Sequence, residues 1–279
     1  MSNKIYPCLW FDGQAKAAAE FYSNIFPNSK LLSDSGMVVM FEVLGKKIMG
    51  LNGGPQFKLN ASISFMVHLD SREAIDNAWE KLSEGGTALM QIDKYPWAER
   101  YGWIKDKFGM TWQLMLADMV DLSPAMLFAN TQYGRGNEAM NLYQSIFQNS
   151  GIDIKELYGP GAAQTEGKLM FGRFRILDYS IVAMDGPGDH QFGFNEAFSY
   201  VVQCDTQDEI DHYWNSLIAN GGKESRCGWL HDSFGVSWQI IPSSLSKLMS
   251  NPATASNVMQ AVLKMNKLDI ATLEKAAQF

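Results

Sequence analysis

Two stretches of the chain share one uncommon pattern of tryptophan, aspartate and glycine. Residues 102–115 are GWIKDKFGMTWQLM, and residues 228–241 are GWLHDSFGVSWQII. Seven of these fourteen positions are identical, at an offset of 228 − 102 = 126 residues. Two further pairs of segments match in the same order along the chain: 56–82 with 191–217, and 18–29 with 139–150. Matches that keep their order indicate a tandem duplication.

The duplication predicts two domains, over residues 1–120 and 121–245, and a helical tail over residues 246–279. A chain of 279 residues suffices for two domains of ordinary size. Hydrophobic residues make up 46% of the chain and charged residues 19%, which is typical of globular proteins. These proportions exclude an intrinsically disordered chain.

The net charge and the cysteine content of the chain indicate which partners it can bind and in which cellular compartment it is found. The formal net charge of −7 offers no basic surface for nucleic acid or an anionic membrane, so we expect neither partner. The N-terminus lacks the apolar segment of a signal peptide, and no apolar run is long enough to span a membrane. Three cysteines at wide spacing fit reduced thiols. We therefore expect a cytoplasmic protein.

Hydrophobic spacing predicts the same order of elements in each half. A short apolar strand over residues 6–11 precedes a helix over residues 18–26, and two strands follow. A second strand over residues 62–69 precedes a helix with Asp70 as its predicted N-cap, and two more strands follow. We predict that each half contains this module twice, and that each module is approximately βαβββ. In the tail we predict two helices that pack through Met259, Val262, Leu263 and Leu273.

Asp106 and Asp232 recur in the repeated stretch and invite a catalytic interpretation. Aspartate at the first position of a tight turn accepts hydrogen bonds from the backbone, and glycine is favoured at the fourth position. Gly109 and Gly235 stand at those fourth positions. We therefore interpret both aspartates as turn residues. Cys227 has two interpretations, a loop nucleophile or a small apolar filler, and the absence of a placed base favours the second.

The tandem βαβββ modules and the D-x-F-G-x-x-W-Q turn resemble the vicinal oxygen chelate superfamily, which includes glyoxalase I, bleomycin-resistance proteins and extradiol dioxygenases. The opening PCLWFDGQAKAAAEFYSNIFPNSK and the LNGGPQFKLN segment are similar to its PhnB-like group, often labelled 3-demethylubiquinone-9 3-methyltransferase. The resemblance implies an α+β fold in which paired modules form curved mixed sheets around a cleft. It also implies that the two halves pair within the chain, with a further homodimer as a possibility.

Metal-dependent members of the superfamily hold a divalent ion with ligands at three kinds of position. The resemblance implies that the position of the metal ligand on the last strand corresponds to Gln113 in the first half and to Gln239 in the second. The ligands of the other strands fall on Ser62 and Ala197, and near Pro7 and Pro124. A stable site needs at least three suitable protein ligands. We therefore predict no metal and no other cofactor, with a divalent metal as the alternative.

Strand alternation from Gln113 predicts which side chains face the cleft, and it places Trp112 and Trp238 in the core. His68 either faces the cleft or lies near the surface at a strand end, and we favour the surface. The long loop of the first half contributes aromatic side chains. The predicted cleft residues are Leu9, Phe11, Ser62, Ser64, Met66, His68, Trp97, Tyr101, Gln113 and Gln239.

Three functions follow, in descending order of preference. The first is a binding protein without a metal, which holds a small, mostly apolar molecule in the cleft. The second is a metal-dependent lyase, isomerase or dioxygenase on the same fold. The third is a methyltransferase, as the family label says, but no G-x-G-x-x-G turn follows a strand to hold its cofactor. The sequence leaves open whether the protein is an enzyme.

Overall fold

The computed structural model describes residues 4–162 and 165–278, which contain seven α-helices and sixteen strands. The helices are α1 (Ala15–Ile25), α2 (Arg72–Ser83), α3 (Gly136–Ile146), α4 (Gln207–Ile218), α5 (Leu245–Met249), α6 (Ala255–Lys264) and α7 (Ile270–Ala276). The first eight strands are β1 (Ile5–Phe11), β2 (Lys30–Asp34), β3 (Val38–Val43), β4 (Lys46–Asn52), β5 (Ile63–Leu69), β6 (Thr87–Tyr95), β7 (Ala98–Lys105) and β8 (Thr111–Leu116). The second eight are β9 (Asp121–Phe128), β10 (Gly151–Leu157), β11 (Leu169–Ile176), β12 (Tyr179–Asp185), β13 (Phe198–Cys204), β14 (Lys223–Glu224), β15 (Trp229–His231) and β16 (Ser237–Pro242).

The elements follow the predicted order, with four successive βαβββ modules and helices in the tail. The strands form two eight-stranded sheets that contain both parallel and antiparallel pairs. The predicted fold class, α+β with tandem domains and curved mixed sheets, is confirmed. Within the described residues, no helix is both long and apolar enough to span a membrane.

Contacts group the chain into two units, Pro7–Phe198 and Met1–Tyr6 with Ser199–Phe279. The larger unit contains one complete sheet, in the order β10-β11-β12-β9-β5-β8-β7-β6. At its centre β5 pairs in parallel with β8 and antiparallel with β9. In the same unit β1 pairs in parallel with β4, and β3 and β2 follow.

The smaller unit carries the tail. Strand β13 pairs in parallel with β16, and β15 and β14 follow in antiparallel order. The tail helices bury a cluster of four side chains, Val258, Val262, Leu268 and Leu273. The expected burial of Val262 and Leu273 is therefore confirmed, whereas Leu263 is 54% exposed and its predicted burial is wrong. Leu263 lies one residue beyond the apolar face that Val258 and Val262 define.

Helix α2 begins one residue later than the sequence predicted. Its N-cap is Ser71, whose hydroxyl accepts a hydrogen bond from the backbone N–H of Ala74 (3.2 Å). Helix α4 has the equivalent cap at Thr206, which accepts from Glu209 (3.2 Å). The prediction of Asp70 as the cap is wrong, because the hydroxyl residue that follows the aspartate has the extended backbone that an N-cap requires.

The core of the larger unit forms around Trp112, which is fully buried on the helix side of its sheet. Its ring lies 4.8 Å from Tyr22, 5.1 Å from Phe26 and 5.2 Å from Phe65, measured between centroids. Large aromatic side chains contribute much of the buried apolar area of a core. The predicted core positions of Trp112 and Trp238, both fully buried, are confirmed.

Candidate functional site

The candidate site is the face of the complete sheet that points away from the helices. The register of β5 places Ser64, Met66 and His68 on one face, because side chains alternate along a strand. Met66 pairs with Gln113 on β8 and with Ser123 on β9, so those side chains share the face. Across β12 and β11 the same face carries Ser180, Val182, Phe171 and Arg173. We call it the helix-free face.

Gln113 lies at the centre of a short chain of hydrogen bonds on the helix-free face. Its Nε2 donates to Oγ of Ser64 (2.6 Å), and its Oε1 accepts from the hydroxyl of Tyr101 (2.7 Å). All three side chains are buried. Burial raises the pKa of Tyr101, so the phenol stays protonated and donates. The amide of Gln113 is therefore fixed in orientation by two partners from β5 and β7.

The second half repeats part of this arrangement. Nε2 of Gln239 donates to Oγ of Ser199 (2.9 Å), and both side chains are buried. Ser199 corresponds to Ser64 because 199 − 64 = 135, the offset of the repeat in that region. Where the first half has Tyr101, the second has Cys227, since 227 − 101 = 126. The phenol that orients Gln113 is thus particular to the first half.

Aromatic rings from the β6–β7 hairpin surround Tyr101. Its ring lies 5.6 Å from Tyr95 and 5.7 Å from Trp97, and those two rings stack at 5.1 Å. Trp97 is 59% exposed, whereas Tyr101 is buried. The three aromatic rings therefore form a continuous layer, from the buried Tyr101 to the exposed Trp97.

His68 and Arg173 meet at the other end of the helix-free face. Nη2 of Arg173 lies 3.4 Å from Nε2 of His68, which is 3% exposed. Burial lowers the pKa of His68 most strongly, the charge of Arg173 lowers it further, and Asp121 opposes both. His68 is therefore neutral at neutral pH. The preferred expectation that His68 lies near the surface is wrong, because its side chain is buried and contacts Arg173.

Asp121 lies beside His68 but is already paired. Its cross-strand partner is His68, and its carboxylate forms an ion pair with Lys46 (3.2 Å). It also accepts a hydrogen bond from the hydroxyl of Ser123 (3.0 Å). These partners satisfy the carboxylate, and Arg173 forms no ion pair within the part of the chain that the structure describes.

Apolar side chains fill the middle of the helix-free face. Met66, Ala125 and Val182 form a buried cluster, and Phe171 and Met184 pack against it. Thioether and aromatic groups adapt to ligands of varied shape. The face thus joins an apolar centre to polar groups at two ends.

Several buried polar atoms on this face have no hydrogen-bond partner among the residues that the structure describes. They are Nδ1 of His68, Nε of Arg173, Nε1 of Trp103, Oγ1 of Thr111 and Oγ of Ser180. Most buried polar atoms in proteins are paired, so each exception calls for an explanation. Five such atoms therefore lie on the helix-free face.

The structure does not bring all the predicted cleft residues together. Ser64, Met66, His68, Tyr101 and Gln113 share the helix-free face, and Ser62 lies directly before β5 with its carbonyl bonded to Leu127 (2.8 Å). Gln239 belongs to the smaller unit, and Trp97 lies on the β6–β7 hairpin.

Leu9 and Phe11 point toward the helix layer, opposite to the expectation. Leu9 pairs with Gly50, and a Cβ on Gly50 would lie 3.0 Å from Cβ of Ala15 on α1. The ring of Phe11 contacts Phe108 at 6.5 Å. The predicted alternation of β1 is therefore displaced by one residue, because a run in which every position is apolar does not show which set faces the helix.

The interpretation of Asp106 as a turn residue is confirmed. Its Oδ1 accepts from the backbone N–H groups of Phe108 (2.8 Å) and Met110 (3.1 Å). Its Oδ2 accepts from Nε1 of Trp112 (2.8 Å) and the hydroxyl of Tyr22 (2.8 Å). Asp232 makes the same bonds to Phe234, Val236 and Trp238. Each carboxylate ties its turn to the core behind it.

Cys227 has the environment of a structural thiol. Burial raises its pKa, which Arg226 only partly offsets. Its backbone N–H donates to the carbonyl of Met265 (2.7 Å), and its side chain packs on the buried cluster of the tail. A raised pKa disfavours the thiolate that a nucleophile requires.

The residues of the helix-free face do not suit the divalent metal that the fold family implies. The amide of Gln113 is engaged at both ends, and Nε2 of His68 faces the guanidinium of Arg173. A positive charge at that distance opposes a second cation. Over residues 4–162 and 165–278, no group of three or more His, Cys, Asp or Glu is placed to hold a metal ion.

Sequence reasoning missed Arg173, Ser180, Ser123 and Asp121. One signal was present: Arg173 directly precedes Phe174 in a strand where the first half has Met40 before Phe41. The sequence therefore shows a charge where the equivalent strand of the other half has an apolar residue. A separate pocket of about 620 Å³ lies between the end of β1 and the Asp106 turn, and Phe11 is the predicted cleft residue that lines it.

Comparisons with known proteins agree with this architecture. A sequence model of the 3-demethylubiquinone-9 3-methyltransferase family matches residues 3–115 and 121–241. The PhnB protein from Bacillus cereus is 29% identical over 40% of this chain and 98% of its own, with a TM-score of 0.38. Glyoxalase I from Zea mays is 11% identical over 88% of this chain and 94% of its own, with a TM-score of 0.57. No curated protein matches the chain.

The similarity to glyoxalase I shows the fold alone, because the identity is low. The family model is more specific, since it matches the chain twice and in the order of the internal repeat. The resemblance that the sequence suggested is confirmed. With most of its length covered by these two matches, the chain belongs to the 3-demethylubiquinone-9 3-methyltransferase family, in a tandem, PhnB-like form with the vicinal oxygen chelate fold.

Proposed function

We propose that the protein binds a small, mostly apolar molecule on the helix-free face and does so without a catalytic metal. The observation that carries this proposal is the combination of the Met66–Ala125–Val182 cluster with buried polar atoms that have no partner in the described part of the chain. Binding sites for small molecules typically combine an apolar lining with a few placed polar groups.

The polar groups favour binding over metal-assisted chemistry. Gln113 is held by Ser64 and Tyr101, so it presents a fixed neutral amide to a ligand. His68 faces Arg173, an arrangement that attracts negative charge and not a cation. The proposal includes no cofactor, no nucleic acid and no membrane. It places the protein in the cytoplasm, in agreement with three cysteines that form no disulfide bond.

Methionine NMR tests the proposal directly. Met66 is buried on the helix-free face and Met184 packs beside it, whereas Met37 is 57% exposed and Met119 is 50% exposed elsewhere. Protein with ¹³C-labelled methionine methyl groups is titrated, with EDTA present, against aromatic and aliphatic acids, their amides and S-adenosylmethionine. Methyl signals are assigned by Met→Leu substitution.

The expected result is a saturable shift of the Met66 and Met184 signals, with Met37 and Met119 unchanged as internal controls. Addition of Zn²⁺, Mn²⁺, Ni²⁺ or Fe²⁺ leaves the affinity unchanged. The proposal fails if no compound shifts Met66, or if a shift requires one of these metals. Saturable binding of S-adenosylmethionine would instead favour the methyltransferase that the family name describes.

A further inference from the structure

We propose that Arg173 and His68 together bind an anionic oxygen, so that the ligand is an apolar molecule bearing a carboxylate. This inference rests on the function proposed above and specifies the class of ligand. It depends on the hydrogen-bond geometry of the two side chains, on the charge that surrounds them and on the different residues at the equivalent position in the other half of the chain.

The contact between the two side chains determines the tautomer of His68. A guanidinium can only donate hydrogen bonds, so Nε2 of His68 accepts from Nη2 of Arg173 (3.4 Å). The proton of the neutral imidazole then lies on Nδ1. Nδ1 of His68 and Nε of Arg173 are both buried without a partner in the described chain. The pair therefore offers two unused N–H donors.

The charge around this pair favours an anion. The acidic group nearest in register is Asp121, which is bonded to Lys46 and Ser123. Among the ion pairs of the described residues, none includes Arg173, whereas Arg175 on the same strand pairs with Asp153 (3.0 Å). A partly buried guanidinium without a carboxylate is costly unless a negative group binds to it. Arginine and carboxylate also form strong hydrogen bonds of matching geometry.

The position of the pair also defines the rest of the ligand. Arg173 is the cross-strand partner of Val182, and His68 follows Met66 on the same face of β5. Both residues therefore border the apolar cluster of Met66, Ala125 and Val182. A ligand whose carboxylate contacts Arg173 would place an aromatic ring or an alkyl chain on that cluster.

Neither residue is repeated at the equivalent position in the other half of the chain. His68 corresponds to Gln203, since 203 − 68 = 135, and Arg173 corresponds to Met40. A pair that had only a structural role in the fold would be expected in both copies. Met40 and Gln203 also suggest conservative test substitutions, because the fold already accepts Met and Gln at these positions.

The experiment compares acids with their amides: benzoate with benzamide, cinnamate with cinnamamide, and octanoate with octanamide. Each pair differs in charge and little in shape. Affinities are measured by the Met66 methyl shift for the wild type, Arg173→Met, Arg173→Lys and His68→Gln. Charge-assisted hydrogen bonds stabilise by about 1.5–3 kcal/mol, so we expect each acid to bind at least about tenfold more tightly than its amide.

Arg173→Met should remove the preference for the acid over its amide, and Arg173→Lys should retain part of that preference. Equal affinity of acid and amide for the wild type would overturn the inference and leave the proposed function intact. A failure of every compound to shift Met66 would overturn the proposed function itself. The wild-type comparison decides the inference even if a variant does not fold.

Discussion

Nε2 of Gln113 donates a 2.6 Å hydrogen bond to Oγ of Ser64, from a residue 49 positions away in the sequence. The resemblance to metal-dependent relatives places a metal ligand at this glutamine. In this chain the amide instead joins β5, β7 and β8, because its oxygen accepts a hydrogen bond from Tyr101. Gln113 is thus the middle member of a hydrogen-bond chain, from Tyr101 to Ser64, on the face that we propose to be the binding site.

Replacement of Gln113 by Met should be more destabilising than the same change at Gln239. Gln113→Met removes the hydrogen bonds to both Tyr101 and Ser64, which are buried. Gln239→Met removes the one observed hydrogen bond, to Ser199. An unsatisfied buried group costs about 1–3 kcal/mol, so the free energy of unfolding should fall by roughly 2–5 kcal/mol for Gln113→Met. Urea unfolding of both variants provides the comparison. Equal losses would contradict the role of Tyr101.

Asp106→Asn should destabilise the protein without altering ligand affinity. The amide keeps one acceptor oxygen, so either the turn or the pair formed by Tyr22 and Trp112 loses its bond. We expect a loss of about 2–4 kcal/mol, measured by urea unfolding. The exposed Asp12 supplies the matched control, Asp12→Asn, which should have little effect. A weaker affinity with unchanged stability would assign Asp106 to the binding site instead.

Stability should depend on pH through His68. Its pKa is lowered from the ordinary value of 6.5, so below about 6.5 the unfolded chain binds a proton that the folded protein does not. The free energy of unfolding therefore falls as the pH decreases through this range. In His68→Gln this contribution is absent, so the loss between about pH 7.5 and 5.5 should be smaller than in the wild type. Identical losses would show that His68 titrates in the folded protein as it does in the unfolded chain.

Cys227 should react slowly with iodoacetamide at neutral pH. Burial raises its pKa above the ordinary value of 9.0, so its thiolate fraction is below that of a free cysteine. Mass spectrometry of the native protein, with glutathione as the reference thiol, measures the rate. The buried Cys8 and Cys204 should react more slowly still until the protein is unfolded. A rate above that of glutathione would restore Cys227 as a candidate nucleophile.

The sequence by itself determined the features that depend on short-range patterns. The Asp106 turn closes through backbone groups within four residues, so its role follows from local chemistry. The order of helices and strands follows from hydrophobic spacing, and the repeat establishes that the order occurs twice.

Tertiary structure decided which residues meet across the sheet. His68 and Arg173 are 105 positions apart, and no local pattern relates them. Alternation along β1 defines two sets of side chains, but only the close approach of Gly50 to Ala15 shows that Leu9 and Phe11 belong to the helix side. Strand pairing brings together residues that are remote in sequence. The candidate site therefore depended on the register of β5, β8, β9 and β11, which propensity and spacing within each segment do not specify.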